Sequence, residues 1–309
     1  MSDRQLVIAW QGGTILSLAV VLLLVLHERR VPLGVTSLAL VALTTIALLA
    51  TEPLSGSLFF GQINLFLMLL AAVDILPRRW RLPGIGVGLA AGIKLTPAYL
   101  GLVFLLERRW GAAVGSVVTF LATVAIGFLG VPDAYSYWTE KMLNSSRIGD
   151  HLNPGAQSLR PVFDREFGID STLVWILAVL VVTAVAAAAV GQAVARDDRT
   201  TALSLAGIGA CLVSPFSWFH HWVWVLPMAF GFMIGVNRFL ADRWTFTGGH
   251  QLAGAASVAA LVLPLVPFVS HVMIDAAQSR FYTAAGFAFL VCYLVGSLIS
   301  SRVAAPSPH

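Results

Sequence analysis

Two adjacent histidines, His220 and His221, interrupt an apolar stretch that reads SPFSWFHHWVW over residues 214–224. Histidine is costly in hydrocarbon and exchanges protons near neutral pH, so the pair is a candidate catalytic site for proton transfer or anion binding. Neighbouring helical residues point about 100° apart. The two rings are therefore not expected to share a metal ion, and we predict no metal site. Anchoring at the membrane interface, together with the flanking tryptophans, is the alternative interpretation.

Lys94 lies in the sequence GIKLTP (92–97), deep within an apolar segment. Burying a lysine in a membrane costs about 3 kcal/mol on insertion scales, so such a residue usually has a function. The glycine and proline beside it predict a helix break, and free amide groups at a break suit an anion. We therefore predict that Lys94 binds a phosphate. The alternative is a lysine that pairs with carbonyl groups of its own broken helix.

Polar side chains suited to sugars and phosphates occur in two further segments, a GQIN motif at residues 61–64 and the long loop 132–171. Amide and hydroxyl groups hydrogen-bond to sugar hydroxyls, and arginine can hold a phosphate through two parallel hydrogen bonds. Helix capping, hydrogen bonds between helices and a solvated loop are the structural alternatives. The predicted substrate-binding residues of these segments are Gln62, Asn64, Gln157, Ser158 and Arg160.

The composition indicates that lipid surrounds most of the chain. Of its 309 residues, 58% are hydrophobic and only 11% are charged, whereas about a quarter of the residues in a soluble domain are charged. We therefore predict an all-α, polytopic membrane protein that forms a single transmembrane domain over residues 1–309, with membrane lipid as a partner. The net charge of +4 comes from arginines at helix ends. This is a topology signal, and it argues against nucleic acid as a partner.

Nine segments are apolar enough to be predicted as spanning helices. They are 6–26, 33–51, 58–76, 112–131, 172–195, 202–217, 219–236, 252–270 and 281–300. A further segment, 84–106, is flanked by arginines at both ends, and arginines mark the cytoplasmic side. We predict that it forms a re-entrant or broken hairpin that enters and leaves the membrane on one side.

This hairpin determines the predicted orientation of the chain. With it, the loop 132–171, the histidine pair and the GQIN motif all face the outside of the plasma membrane, and most arginines face the cytoplasm. Convergence of three polar motifs on one face predicts the functional site there. On the opposite side, Asp74 lies one turn before Arg78 and is predicted to reach the cytoplasmic surface and pair there.

Four motifs carry a resemblance to a known family: GQINLFLMLLAAVDIL (61–76), GIGVGLAAGIKLTPAYLGLVFLLERRW (84–110), QSLR (157–160) and SPFSWFHHWVWVLP (214–227). In this order and spacing they resemble glycosyltransferase family 87, which comprises multi-pass enzymes of the GT-C superfamily, best known from actinobacteria. The resemblance covers most of residues 5–236. It implies transfer of a sugar, usually mannose and in some relatives arabinofuranose, from a polyprenyl-phosphate donor to a glycolipid or lipoglycan acceptor on the outer membrane face. We predict no cofactor.

The resemblance also implies roles for the predicted site. Lys94 or Arg160 would neutralise the departing phosphate, the amide and hydroxyl side chains would orient sugar hydroxyls, and His220 or His221 would bind the phosphate or assist proton transfer. The resemblance implies that the general base is an aspartate in the first outside loop. In the family this loop follows an additional N-terminal span, and a Tyr-Pro-Pro element comes after the aspartate. Neither feature is present in these 309 residues, so the chain is expected to lack that span and catalytic loop.

Two alternatives to an active transferase stay open. The first is a catalytically impaired or truncated family member that binds polyprenyl phosphate or assists a partner enzyme. The second, less expected because the sequence has no visible two-fold repeat, is a secondary transporter. A substitute base would have to be a carboxylate that faces outside, and the spacing of the sequence favours none of the candidates. They are Glu52, Asp133, Glu140, Asp150, Asp164, Glu166, Asp170 and Asp275.

Overall fold

A computed structural model describes residues 2–77, 82–141, 148–243, 248–269 and 275–303. The helices of the first half are α1 (Asp3–Glu28), α2 (Val35–Leu48), α3 (Glu52–Phe59), α4 (Asn64–Ile75), α5 (Ile85–Ile93), α6 (Gly101–Leu106) and α7 (Trp110–Gly130). Those of the second half are α8 (Ala134–Ser136), α9 (Leu159–Phe167), α10 (Thr172–Ala195), α11 (Arg199–Val213), α12 (Val225–Ala241), α13 (Gly249–Val262) and α14 (Asp275–Val303). Within the described ranges no strand occurs beyond an isolated bridge, so the predicted all-α class is confirmed.

Fewer helices than predicted are long enough to cross a membrane. Six qualify among the described residues, and the α2–α3 pair, bent by 75°, would make a seventh. The six are Asp3–Glu28, Trp110–Gly130, Thr172–Ala195, Phe219–Ala241, Gly249–Phe268 and Phe281–Ser300. The predicted count of about nine is not confirmed, because segments 58–76 and 202–217 form the shorter helices α4 and α11. The 12 residues of α4 span about 18 Å, whereas the hydrocarbon core is about 30 Å thick.

The predicted break in segment 84–106 is present, and the two ends of the segment lie together. Entry into the membrane and exit on one side stay a prediction. α5 leads into a 3-10 turn (Thr96–Leu100), and α6 returns. After α6, the Arg109 guanidinium donates to the carbonyl of Leu82 at 3.2 Å and to that of Asp74 at 3.1 Å. Residues that precede α5 and residues that follow α6 therefore lie together. Lys94 follows the last residue of α5 with extended backbone angles, so it lies at the break that the sequence predicts.

The prediction that Asp74 reaches the surface is wrong. Its side chain is fully buried and accepts hydrogen bonds from the N–H groups of Gly84 at 3.2 Å and Val87 at 2.8 Å. The first N–H groups of a helix have no partner within that helix. The N-cap position of α5 is Gly84, which has no side chain to cap the helix, so a carboxylate from α4 supplies the cap. Arg78, the predicted partner of Asp74, lies outside the described residues.

A network of charged residues joins α1, α11 and the end of the hairpin. Glu28, at the end of α1, is buried and hydrogen-bonds to the first turn of α11. Arg29 pairs with Asp198 at 2.6 Å, and Arg199 pairs with Glu107 at 3.3 Å. Buried charges are tolerated when they are paired and hydrogen-bonded. Residues predicted to lie on the cytoplasmic side are thus gathered at one end of the helices.

Protein, rather than lipid, surrounds α11. Almost every residue of this helix is buried, so the irregular backbone that follows it at residues 214–218 has protein groups to satisfy its hydrogen bonds. Gly207 lies at the middle of α11, where the indole of Trp224 packs directly on the backbone. A Cβ atom added at Gly207 would lie 2.2 Å from that ring, closer than van der Waals contact allows.

Gly207→Ala is expected to destabilise the protein by about 1–3 kcal/mol, because overpacking a close contact forces the indole of Trp224 out of place. The measurement is the apparent melting temperature of the purified protein in detergent. Gly191→Ala is the matched control, since a Cβ there meets no atom within 4 Å, and a helical glycine replaced by alanine stabilises by up to about 1 kcal/mol. Equal melting temperatures for the two variants would contradict the prediction.

Candidate functional site

The histidine pair lies in a 3-10 helix, Phe219–Trp224, that the loop after α8 holds in place. The backbone N–H of Gln157 donates to the carbonyl of Ser217 at 2.6 Å, and the N–H of Ser217 donates to the hydroxyl of Ser158 at 3.2 Å. Gln157 and Ser158 are thus brought beside the histidine segment. Both are buried, and these contacts give them a role in positioning that segment.

Asn64 connects three elements through one side chain. Its amide nitrogen donates to the backbone carbonyl of His220 at 2.8 Å, and its amide oxygen accepts from the Lys94 ammonium at 3.0 Å. Asn64 is buried at the start of α4, so the hydrogen bonds are shielded from water. The GQIN motif, the hairpin and the histidine segment therefore meet at Asn64. Of the three motifs predicted to converge, GQIN contacts the histidine segment through Asn64, and the loop 132–171 contacts it through Gln157 and Ser158.

The hydrogen bonds of His221 fix which ring nitrogen is available for chemistry. Its Nδ1 accepts the N–H of Trp218 at 3.1 Å, so in the neutral ring the proton is on Nε2. The backbone carbonyl of His221 accepts a hydrogen bond from the thiol of Cys211 at 3.4 Å. Nε2 is consequently the nitrogen of His221 that is free to bind or protonate a ligand.

His220 is surrounded by aromatic rings. The centroids of Phe60, Trp218 and Phe219 lie 5.4, 6.3 and 5.1 Å from its own. The ring centroids of His220 and His221 lie 4.8 Å apart, and their planes differ by 83°. The Nδ1 atom of His220 is buried and has no hydrogen-bond partner within the described part of the chain. An unsatisfied buried nitrogen carries a desolvation cost, which a polar ligand would relieve.

A narrow cavity joins these residues. It is lined by Asn64, Leu67, Lys94, Thr96, Pro97, Cys211, His221, Val223 and Trp224. The space open to the centre of a water molecule is about 20 Å³, enough for a water or two, so the cavity matches a small polar group rather than a sugar ring. Of the described residues that line it, only Lys94 is charged. The cavity therefore presents a positive charge that no carboxylate in its lining balances.

A second, larger cavity of about 190 Å³ includes Phe219 of the histidine segment in its lining. It is lined by Glu52, Asn153, Pro154, Gly155, Gln157, Phe219, Pro267, Val269, Phe281 and Tyr282. The hydroxyl of Tyr282 donates to the carboxylate of Glu52. Amides, a carboxylate and aromatic rings in one cavity can hydrogen-bond to hydroxyls and pack on an apolar sugar face.

Glu52 is the residue that sequence reasoning could not single out among eight carboxylates. Three others are engaged in ion pairs within the loop: Asp164 with His151, Asp170 with Arg160 and Glu166 with Arg165. The side chain of Asp275 is outside the described residues. Because the partner of Glu52 is Tyr282, 230 positions along the chain, no local sequence signal indicates the cavity.

Three predicted binding residues, Gln62, Ser158 and Arg160, line neither cavity, and the same is true of His220. The hydroxyl of Ser158 accepts the N–H of Ser217 instead. Gln62 precedes Asn64 by two residues, but it is absent from both linings. Arg160, on α9, pairs with Asp170 at 3.3 Å and lies over the ring of Trp175 at 5.6 Å from its centroid. Their roles in substrate binding stay predictions.

One group of side chains in the described residues is close enough to hold a metal ion. It comprises His151, Asp164 and Asp170, whose ligand atoms lie within 4.8 Å of one another. Nδ1 of His151 already contacts Asp164 at 3.1 Å, and Asp170 already pairs with Arg160. The three side chains thus have protein partners, and the absence of a metal site stays a prediction.

Comparison with known proteins places the chain in a family. Residues 1–215 match the model of glycosyltransferase family 87. A phosphatidylinositol mannoside mannosyltransferase of Mycolicibacterium smegmatis, named as polyprenol-phosphate-mannose-dependent, is 32% identical over 283 residues, which cover 87% of this chain and 63% of the relative. A phosphatidylinositol pentamannoside mannosyltransferase of the same species is 38% identical over 226 residues, 71% of this chain and 53% of the relative.

A phosphatidylinositol pentamannoside mannosyltransferase of Mycobacterium tuberculosis is 39% identical over 189 residues, 60% of this chain and 44% of the relative. The chain thus spans about half the length of the curated relatives it matches. No solved structure matches it. Since the family model covers more than half of the chain and includes the GQIN motif, Lys94 and QSLR, the chain belongs to glycosyltransferase family 87.

Proposed function

We propose that the protein transfers mannose from polyprenyl-phosphate mannose to a phosphatidylinositol mannoside or similar glycolipid at the outer face of the plasma membrane. The observation that carries this proposal is the positive charge of Lys94 in a cavity whose lining contains no carboxylate. A phosphate would supply the missing negative charge. The family and the names of the relatives, which use polyprenol-phosphate mannose, support the same donor.

In the proposed reaction, a hydroxyl oxygen of the acceptor attacks the anomeric carbon of mannose. The bond between that carbon and the phosphate oxygen breaks, and polyprenyl phosphate leaves with the bonding electrons. Negative charge therefore grows on the phosphate oxygen, next to the ammonium of Lys94 and the Nε2–H of His221. Preorganised donors of this kind stabilise developing charge most strongly in a site that excludes water.

The acceptor sugar would occupy the second cavity, next to Gln157 and Phe219. The proton of the attacking hydroxyl must pass to a base. Among the described carboxylates, Glu52 is the one that lines this cavity, and we assign it that role. One carboxylate oxygen of Glu52 already accepts a hydrogen bond from Tyr282, which leaves the other oxygen for the acceptor.

The second candidate function is binding of polyprenyl phosphate without transfer. The Lys94 cavity is compatible with it, because a lysine charge with no carboxylate in the described lining would bind the phosphate of the donor whether or not transfer follows. Both functions use the Lys94 cavity, so binding of the donor and transfer of the sugar must be measured separately.

The test uses the purified protein in lipid nanodiscs with radiolabelled polyprenyl-phosphate mannose and phosphatidylinositol mannosides. His221→Asn is the informative variant, because an asparagine oxygen can still accept the N–H of Trp218 but offers nothing at the position of Nε2. We expect His221→Asn to lower the transfer rate about a hundredfold, the usual scale for a lost acid–base or charge-stabilising group. His27→Asn is the matched control, because His27 is exposed in the last turn of α1.

The outcomes separate the two functions. Transfer by the wild-type protein that falls in His221→Asn but not in His27→Asn supports the transferase. Donor binding without transfer would favour the binding protein. Wild-type protein that neither binds the donor nor transfers mannose would contradict both.

A further inference from the structure

A long apolar groove opens between α12 and α14, beside the first turns of α11. It holds about 710 Å³ and shares no residue with the Lys94 cavity. Phe232 and Phe239 of α12 line one wall, and Phe289 and Tyr293 of α14 line the other. Small-molecule sites in proteins are commonly about 300–1,000 Å³, so the groove has the capacity for a ligand rather than a single water.

Glycines keep the groove open. Gly235 of α12 and Gly296 of α14 both line it, and a Cβ atom added at either position would meet nothing within 4 Å. A ligand can therefore lie directly against the backbone of both helices.

Arginines lie at one end of the groove. Arg29 and Arg196 line both the groove and an adjoining polar cavity of about 390 Å³, to which Arg30 and Arg238 also contribute. Arg29 is engaged with Asp198 at 2.6 Å. The side chains of Arg30 and Arg238 have no hydrogen bond or ion pair to any residue that the structure describes. Two cationic side chains thus remain available at the end of an apolar channel.

The carboxylates of the polar cavity are already satisfied by other groups. Glu28 accepts from the hydroxyl of Thr200 at 3.0 Å, and Asp197 pairs with Arg199 at 3.3 Å. Asp198 caps the first turn of α11 in addition to pairing with Arg29. Four arginines face three carboxylates in this lining, so the cavity favours an anion.

We propose that the groove binds an anionic phospholipid, with an acyl chain along the apolar walls and the phosphate at Arg30 and Arg238. Apolar walls that lead to a cavity with Arg30 and Arg238, whose side chains have no partner among the described residues, match both parts of such a molecule. Basic pockets between membrane helices suit anionic headgroups. An electrically neutral lipid would leave the arginines without a partner. From the usual contribution of an arginine near a membrane surface, we expect about fivefold tighter binding per arginine, or about twentyfold for the pair.

Native mass spectrometry of the intact protein, released from mixed micelles, tests this directly. The probes are phosphatidylglycerol, which is anionic, and phosphatidylcholine, which has no net charge. Phosphatidylglycerol is expected to bind about twentyfold more tightly than phosphatidylcholine. The double variant Arg30→Gln, Arg238→Gln is expected to remove that preference, whereas Arg4→Gln, at the opposite end of α1, is expected to leave it unchanged.

A second variant keeps the test independent of the arginines. Gly235→Leu places a side chain into the open groove from a position where an added Cβ meets no atom within 4 Å. It is expected to abolish binding of phosphatidylglycerol without lowering the melting temperature. Equal affinity for the two lipids in the wild-type protein would overturn the proposal, and so would a preference that survives in both variants. Occupation of the groove by a second copy of the chain, seen as a dimer that phosphatidylglycerol does not dissociate, would overturn it as well.

Discussion

Lys94→Met is expected to weaken binding of polyprenyl-phosphate mannose by about a hundredfold or more. The ammonium is the only charge among the described residues lining its cavity, and removing one partner of a buried, hydrogen-bonded charge pair costs about 2–5 kcal/mol. Methionine retains the unbranched apolar length of lysine, so the walls of the cavity stay filled. The loss would therefore report the charge rather than the packing.

The same substitution is expected to leave the empty protein as stable as before, or more stable. Without a phosphate, the Lys94 ammonium has the Asn64 amide oxygen at 3.0 Å and no carboxylate in its cavity, and a charge that is poorly compensated destabilises a buried site. Donor affinity and melting temperature should thus move in opposite directions. This combination distinguishes a ligand-binding lysine from one that stabilises the fold, for which both quantities would fall.

Lys141→Met is the matched control, since Lys94 and Lys141 are the two lysines of the sequence. Lys141 is exposed in the turn Tyr137–Lys141 after α8. Binding of radiolabelled donor in nanodiscs provides the measurement for both variants. If Lys94→Met bound the donor with wild-type affinity, the assignment of the phosphate to the Lys94 cavity would be wrong.

The sequence predicts the long lipid-facing helices well because their signal is local. The predicted span 172–195 coincides with α10 (Thr172–Ala195), a mostly apolar run between Ser171 and Arg196. The predicted spans that became α4 and α11 show the limit of this signal. Hydropathy does not distinguish a helix packed against lipid from one enclosed by protein, and enclosed helices need not be long enough to cross the membrane.

The candidate site shows the same contrast between residues that a local sequence signal predicts and contacts that depend on distant residues. Lys94 and the histidine pair were predicted because a cation or imidazole in an apolar run is costly unless it has a function. The structure brings Lys94 and His221 to one cavity, whereas His220 is linked to Lys94 through Asn64, which bonds to its backbone carbonyl. The linking role of Asn64 depends on contacts with residues 30 and 156 positions away. The partner of Arg160 was likewise not predicted, since the sequence does not show that its guanidinium pairs with Asp170; its role in substrate binding stays a prediction.

Asp74→Ala is expected to destabilise the protein by about 3–6 kcal/mol, which is the second of the two largest effects predicted. The carboxylate accepts two backbone hydrogen bonds at the start of α5, and each hydrogen bond to a charged group contributes about 1.5–3 kcal/mol when made. Its removal would leave the N–H groups of Gly84 and Val87 buried without their acceptor. The favourable interaction between a carboxylate and the helix N-terminus would also be lost.

Thermal unfolding in detergent measures this effect, with Asp133→Ala as the control. Asp133 occupies the N-cap position of α8 but makes no side-chain capping bond and is exposed, so its replacement is expected to change stability by less than about 0.5 kcal/mol. Asp74→Asn retains an oxygen acceptor and should lose about half as much as Asp74→Ala. Because α5 carries Lys94 at its end, Asp74→Ala should also weaken donor binding, and saturating donor should partly restore the melting temperature by mass action. Wild-type stability for Asp74→Ala would show that the hairpin is held by other contacts.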